Sequence, residues 1–289
     1  MTKTVELRRI ATEYLIPRPI PNFLDIGLSK PLGELAFGPN LILKGPKGAG
    51  KNCNIEQFAA NMGVPLLTQP CCEDTSVRDL IGAFGVEGDD VYFQLGALPA
   101  AVDVANTEGG CILLLDEINT LPPTAQKILN AMCDYRQEVS IPKIGKSFRV
   151  DPGKRIWVVG TMNPNYGGTY NLNEDFRSRF EFIEVPYMPK DKEKELLHRQ
   201  FPGGAPSASE KRTVDLLINL AGESRGGAME YALSTRDLVN FVLNMLKLGD
   251  LGRALKLLEG KFEGDNISNF RARVASTFVG INLNDQRLY

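Results

Sequence analysis

An α/β core built on a parallel sheet, followed by a smaller all-helical domain, is the fold class predicted by this 289-residue sequence. Three observations predict it. Short, largely apolar runs recur at residues 41–43 (LIL), 111–115 (CILLL), 156–159 (IWVV) and 182–185 (FIEV), with helical stretches or turns between them. A glycine-rich loop follows the first run directly, as a loop joining a strand to a helix does. After about residue 190 the short runs stop and helical stripes take over.

Short apolar runs of this kind are how strands buried on both faces of a parallel sheet read. Between the second and third runs, Ala125, Ile128, Leu129 and Met132 fall at i, i+3, i+4 and i+7, one face of a helix. The first forty residues are rich in proline (IPRPIPNF, then LSKPLGELAFGPN) and read as an entry segment wrapping the core. Beyond the fourth run, Val214, Leu217 and Ala221 stripe one helix, and Leu238, Phe241, Val242, Met245 and Leu246 stripe another. Ser234 and Asp237 form a capping box at the start of the second, and Gly249 is its stop. The expected division is residues 1–189 for the core with its entry segment and 190–289 for a helical lid.

The composition is that of an ordinary globular chain, 43% hydrophobic and 24% charged, with a net charge of -2. Near-neutral charge gives no electrostatic case for nucleic acid as the main partner. No run of ~18 apolar residues exists to span a membrane. The first residues (MTKTVELRRI) lack the apolar core of a signal peptide, so a cytoplasmic location is expected. The five cysteines have no metal-ligand spacing, and the adjacent pair Cys71–Cys72 suits neither a zinc knuckle nor an ordinary disulfide. His198 is the only histidine, which excludes a histidine metal cluster.

The chemistry begins at Gly45-Pro46-Lys47-Gly48-Ala49-Gly50-Lys51, a GxxxxGK loop between the first apolar run and a helix. In that setting backbone N–H groups curl around phosphates and the helix N-terminus adds positive potential. Lys51 then reaches the β- and γ-phosphates. Asn52 and Cys53 complete the expected nucleotide-binding stretch. Asn52 stands where Ser or Thr ordinarily offers a hydroxyl to Mg²⁺; its amide oxygen is the candidate ligand there. The second run ends in Asp116-Glu117, with Asp116 expected to hold Mg²⁺ and Glu117 to polarise the attacking water. The third run leads into Thr161-Met162-Asn163-Pro164-Asn165, which puts the polar Asn163 at a strand tip beside the second strand. Arg177 and Arg179, just before the fourth run, are far in sequence from the loop and are candidates to serve a neighbour's nucleotide. Arg236 opens a lid helix and is a candidate to reach back to the γ-phosphate.

In this order the residues resemble an AAA+ ATPase, and more narrowly the MoxR-type branch with its CbbQ/NorQ-like and cobalt-chelatase small-subunit-like members. The similarity runs over roughly residues 15–250. The resemblance implies a P-loop core with a helical lid. It makes GPKGAGKN the Walker A loop, LLLDEIN the Walker B strand, Asn163 sensor 1, Arg179 the arginine finger with Arg177 beside it, and Arg236 sensor 2. Residues 79–98 resemble that branch's insertion in helix 2, and residues 137–150 its hairpin before sensor 1, with Val139 and Ile141 alternating ahead of a turn at Gly145. It further implies ATP and Mg²⁺ as ligands, a homo-oligomeric and usually hexameric ring, and a client protein remodelled with a partner carrying a von Willebrand factor A domain.

Three functions stay open on the sequence. One is an ATP-hydrolysing remodeller. Another is a nucleotide-gated assembly module, with Asn52 slowing hydrolysis. The third is a nucleic-acid motor, kept by the locally basic hairpin residues Lys143, Lys146 and Arg149.

Overall fold

The computed structural model describes residues 6–8, 15–164 and 169–279. Asn165, the last residue of the sensor motif, and most of the first fourteen residues lie outside these. The described residues form two compact units. One takes in those up to Ile20 with Gly27–Pro46 and Lys51–Val185; the other takes in Pro21–Ile26, Lys47–Gly50 and the chain from Pro186 onward.

In the first unit the strands β1 (Glu6–Arg8), β2 (Asn40–Lys44), β3 (Leu66–Pro70), β4 (Gly82–Glu87), β5 (Asp90–Leu95), β6 (Gly110–Asp116), β7 (Glu138–Ile141), β8 (Lys146–Arg149), β9 (Arg155–Met162) and β10 (Phe180–Glu184) alternate with α1 (Ser29–Leu35), α2 (Lys51–Met62), α3 (Val77–Leu80), α4 (Ala97–Glu108), α5 (Pro123–Leu129) and α6 (Glu174–Arg177). Five strands make the central sheet in the order β10-β2-β9-β6-β3, every neighbouring pair parallel. The four apolar runs are its strands β2, β6, β9 and β10. The fifth, β3, has only Leu66 and Leu67 buried and so carries no apolar run to find.

Side chains of β6 and β9 are shielded on both faces, from Cys111 to Leu115 and from Ile156 to Val159. Helix α4 lies against this sheet with Ala100, Ala101, Val102, Val104 and Ala105 buried. The helical face expected to run through Met132 ends sooner. After α5 the amides of Met132 and Cys133 both donate to Leu129 O, at 2.9 and 3.1 Å, so a tight turn, not a helix, buries Met132. Two smaller sheets complete the unit. β4 and β5, within the expected helix-2 insertion, form an antiparallel hairpin, and β1 from the N-terminal segment adds to it in parallel. β7 and β8 form the expected second hairpin, turning at Gly145 with φ 63° and burying Val139 and Ile141.

The second unit is helical: α7 (Lys190–His198), α8 (Ala208–Glu223), α9 (Thr235–Leu248), α10 (Leu251–Glu259) and α11 (Asp265–Thr277). Its core gathers Val214, Leu217 and Ala221 of α8 with Leu238, Phe241 and Met245 of α9, the stripes read in the sequence. Ser234 caps α9 by accepting from the Asp237 amide, and the Ser234 amide donates in return to the Asp237 carboxylate at 2.8 Å. The helix stops at Gly249 in the left-handed region, φ 60°. No helix among the described residues is long and apolar enough to cross a membrane.

Trp157, the single tryptophan of the chain, is fully buried on β9, with Phe58 of α2 edge-on at 5.7 Å. Tryptophan emission therefore reports unfolding of the first unit. Phe58→Ala should lower the denaturant midpoint of that signal, at a cost of about 3–5 kcal/mol for a large side chain removed from a packed core.

Candidate functional site

Parallel strands deliver their carboxyl ends to one edge of the sheet, and the glycine-rich loop begins there. Gly45 continues the ladder by donating from its amide to Met162 O at 3.0 Å. A Cβ on Gly45 would lie 1.9 Å from Val185 O, so only glycine lets the chain turn between β9 and β10. Lys51, the first residue of α2, donates its ammonium to Gly45 O and Pro46 O, both at 2.8 Å. Gly48 and Gly50 take φ values of 72° and 87°, which L side chains rarely adopt. The first turn of α2 contains no acidic residue to oppose an anion at its N-terminus. Asn52 is half-buried in that turn, and Cys53 beside it is exposed.

β6 ends at Asp116, and the backbone then bends sharply. Glu117 has φ 57° and ψ 46°, the left-handed region. For a non-glycine residue that conformation costs of order 1–3 kcal/mol and persists only where surrounding bonds impose it. They do here. The Thr161 hydroxyl donates to Asp116 Oδ1 at 2.6 Å and accepts from the Glu117 amide at 3.0 Å. Glu117 O in turn accepts from the Thr120 amide and the Thr120 hydroxyl, each at 2.8 Å. The result is a half-buried Asp116 next to an exposed Glu117 side chain.

Asn163 follows β9 on the same edge. Asn119, almost fully buried, donates its amide to Asn163 O at 3.0 Å and so ties the end of β9 to the turn after β6. Two acidic or acidifiable neighbours feel Asp116. Burial, and then the charge of Asp116, hold the Glu56 carboxyl above its usual range. The same two causes push the Cys71 thiol up, leaving it protonated and unsuited to nucleophilic work.

Arg177 and Arg179 lie elsewhere. Asn40, the first residue of β2, donates its side-chain amide to Arg179 O at 3.2 Å and to Cys133 O at 2.9 Å. Arg179 thus sits at the amino edge of the sheet, one strand length from the loop, or about 13 Å at ~3.3 Å per residue. Its guanidinium meets Asp175 at 3.1 Å and Asp134 at 3.8 Å. Arg177 is exposed, its guanidinium 5.6 Å from the centre of the Phe182 ring. The fully buried Gln126 holds the segment in front of them, accepting from the Asn173 amide at 2.7 Å. Gly45, Lys51, Asp116, Glu117 and Asn163 are therefore brought to one edge of the sheet, while the two arginines are at the other.

Within the second unit, the tip of the loop, Lys47–Gly50, groups with the start of α9. A Cβ on Gly48 would lie 2.5 Å from Ser234 Cβ and 3.6 Å from Arg236 Cβ. Arg236 itself is exposed. Among the described residues, no group of three or more His, Cys, Asp or Glu could hold a metal ion. Mg²⁺ carried on a triphosphate needs only one or two protein oxygens. An Asp116 carboxylate with one oxygen engaged by Thr161, and the Asn52 amide, are donors of that hard-oxygen kind.

Three features of this geometry were not legible in the sequence: the Thr161 bridge, the Asn119 tie and the Gln126 tie. A polar residue closing an apolar run, as Thr161 does after IWVVG, is the only local signal any of them leaves.

Comparison with known proteins points the same way. The model of the AAA domain (dynein-related subfamily) matches residues 40–180, from the start of β2 to the start of β10. NorQ of Paracoccus denitrificans is 30% identical over 243 residues, covering 82% of this chain and 85% of NorQ. YojN of Bacillus subtilis is 30% identical over 211 residues, covering 71% of this chain and 67% of YojN. CbbQ of Hydrogenophilus thermoluteolus is 27% identical over 233 residues, covering 80% and 83% of the two chains.

Thr161→Val keeps the shape of the side chain and removes both of its hydrogen bonds. Nucleotide affinity should change little, while phosphate release should fall about 10- to 100-fold, equivalent to roughly 1.4–2.7 kcal/mol. Thr161→Ser should recover most of the rate.

Proposed function

Because the chain belongs to the MoxR-type branch of the AAA+ ATPases, we propose that it is a Mg²⁺-dependent ATP hydrolase that works as a homo-oligomeric, typically hexameric, ring and remodels or activates a client protein. The observation that carries this reading is the Thr161 bridge, which orients Asp116 and Glu117 at the same sheet edge as the phosphate loop. In this reading the loop amides and Lys51 hold the β- and γ-phosphates, and Lys51 exchanges its two carbonyl partners for phosphate oxygens. Asp116 and Asn52 would hold Mg²⁺, which would supply positive charge to offset the negative charge that develops on the transferring phosphoryl group. Glu117, exposed and aimed by its constrained backbone, accepts the proton of the attacking water, and Asn163 positions that water.

Arg179 completes the site of a neighbouring subunit. The strand length that separates it from its own loop is the reason for assigning it across an interface, with Arg177 next to it. Arg236 reads the γ-phosphate from the lid. A client protein and a partner with a von Willebrand factor A domain are what the family resemblance implies. A second reading, nucleotide-gated assembly with slow turnover, rests on Asn52 in place of a hydroxyl.

Glu117→Gln should bind ATP like the wild type and hydrolyse it about 10²- to 10⁴-fold more slowly, the usual contribution of a positioned base. Lys51→Ala should lose nucleotide binding by calorimetry. Equal phosphate release by wild type and Glu117→Gln would assign the base to another residue, and a wild type that binds ATP without releasing phosphate would favour the second reading.

The interface assignment has its own test. Arg179→Ala and Lys51→Ala subunits, each inactive alone, should regain part of the wild-type rate when mixed, since each supplies what the other lacks. Mixed rings seen by native mass spectrometry with no recovered rate at any ratio would place Arg179 outside the site.

A further inference from the structure

Glu193 is a fully buried carboxylate in the first turn of α7, and nothing in the hydrolytic scheme uses it. Arg225 engages it with both terminal nitrogens, each at 2.9 Å. The Thr235 hydroxyl donates to the same carboxylate at 2.6 Å. Thr235 is the first residue of α9, immediately before Arg236.

Arg225 does more than neutralise Glu193. Its Nε donates to Leu233 O at 2.8 Å, and its guanidinium lies 4.1 Å from the centre of the Tyr187 ring. It is carried by a π-helical turn, Ser224–Ala228, in which Gly227 takes φ 86°. Ser224, at the start of that turn, accepts from the Leu233 amide at 2.9 Å. The entrance to α9 is thus fixed at three points: Leu233 N, Leu233 O and Thr235 Oγ1. The residue enclosed by these points, Ser234, is the one against which Gly48 of the phosphate loop packs.

A buried ion pair of this kind is a poor means of raising stability, since desolvating two charges consumes most of their attraction. Directional bonds are what it supplies. Two of its bonds reach the turn that presents Arg236: Arg225 Nε donates to Leu233 O, and Glu193 accepts from the Thr235 hydroxyl. We propose that Glu193 and Arg225 are positioning residues that set Arg236 against the phosphate loop, so that the lid distinguishes ATP from ADP. This rests on the reading of Arg236 as the γ-phosphate sensor.

The test compares affinities of the full chain for a non-hydrolysable ATP analogue and for ADP, with Mg²⁺, by calorimetry. Arg236→Ala should reduce the preference for the triphosphate. Glu193→Gln should reduce it by roughly 2- to 150-fold, the span of coupling between residues in contact, with ADP affinity nearly unchanged. Combined with Arg236→Ala, it should reduce the preference no further. Thr235→Val, a milder change that removes one bond to Glu193, should act in the same direction. Thr235→Ser should restore the wild-type ratio, and this pair decides the matter if Glu193→Gln fails to fold.

A lid that is less stable yet keeps its triphosphate preference in these variants would overturn the proposal. So would a loss that adds to that of Arg236→Ala. If Arg236→Ala itself leaves the preference unchanged, it is the sensor reading that has failed, an outcome separate from one in which Arg236→Ala acts and Glu193→Gln and Thr235→Val do not.

Discussion

Parallel pairing of β2, β9 and β6 is the constraint on which the first unit depends. In register, Leu43 stands opposite Thr161 and Lys44 opposite Met162, while Leu115 stands opposite Gly160. Three chain segments therefore leave the sheet at the same height: the glycine loop, the acidic pair and the Asn163 turn. An open α/β sheet binds its ligands at that edge because the strand ends and helix N-termini converge there. The packing that fixes the register leaves no slack. A Cβ on Gly160 would come within 3.0 Å of Ile118 Cδ1 and 3.2 Å of Ile42 Cγ1, so the bare backbone of β9 is what admits the turn after β6. The same register that gathers five candidate residues at the carboxyl edge sends Arg179 to the other. A site needing that arginine is incomplete in one chain.

Much of this was legible in the sequence because it is local. Runs such as CILLL and IWVV mark strands buried on both faces, whatever surrounds them. The capping box of Ser234 and Asp237 and the stop at Gly249 require only neighbours along the chain. What stayed hidden was non-local. β3 joins the sheet through backbone bonds to β6, with too few buried side chains to form a pattern. The helix expected to reach Met132 ends at Leu129 because a turn buries Met132 equally well, and spacing alone cannot separate the two. At the site, the acids could be read from their place after an apolar run. The left-handed backbone of Glu117 could not, because it is imposed by Thr161, 44 residues away in sequence.

The arginines of the two units differ in how firmly they are held, and the difference follows from solvent. Arg179 is about a quarter exposed, and its nearer partner Asp175 is mostly exposed, at 67%, with the less exposed Asp134 farther off at 3.8 Å. Water screens such a pair, which contributes little to stability and can be exchanged for another anion at small cost. Arg225 faces a carboxylate with no solvent access, and removing one member of such a pair leaves a buried charge uncompensated, at a cost of about 3–5 kcal/mol. The first arrangement is compatible with the role proposed for Arg179, which would exchange its resting contacts for a phosphate held by another subunit. The second suits one whose task is to keep a neighbouring turn of helix in place while the nucleotide changes. On the proposed reading, exchange of ATP for ADP calls for both a charge that can move and a frame that does not, and the exposures fit Arg179 to the first and Arg225 to the second.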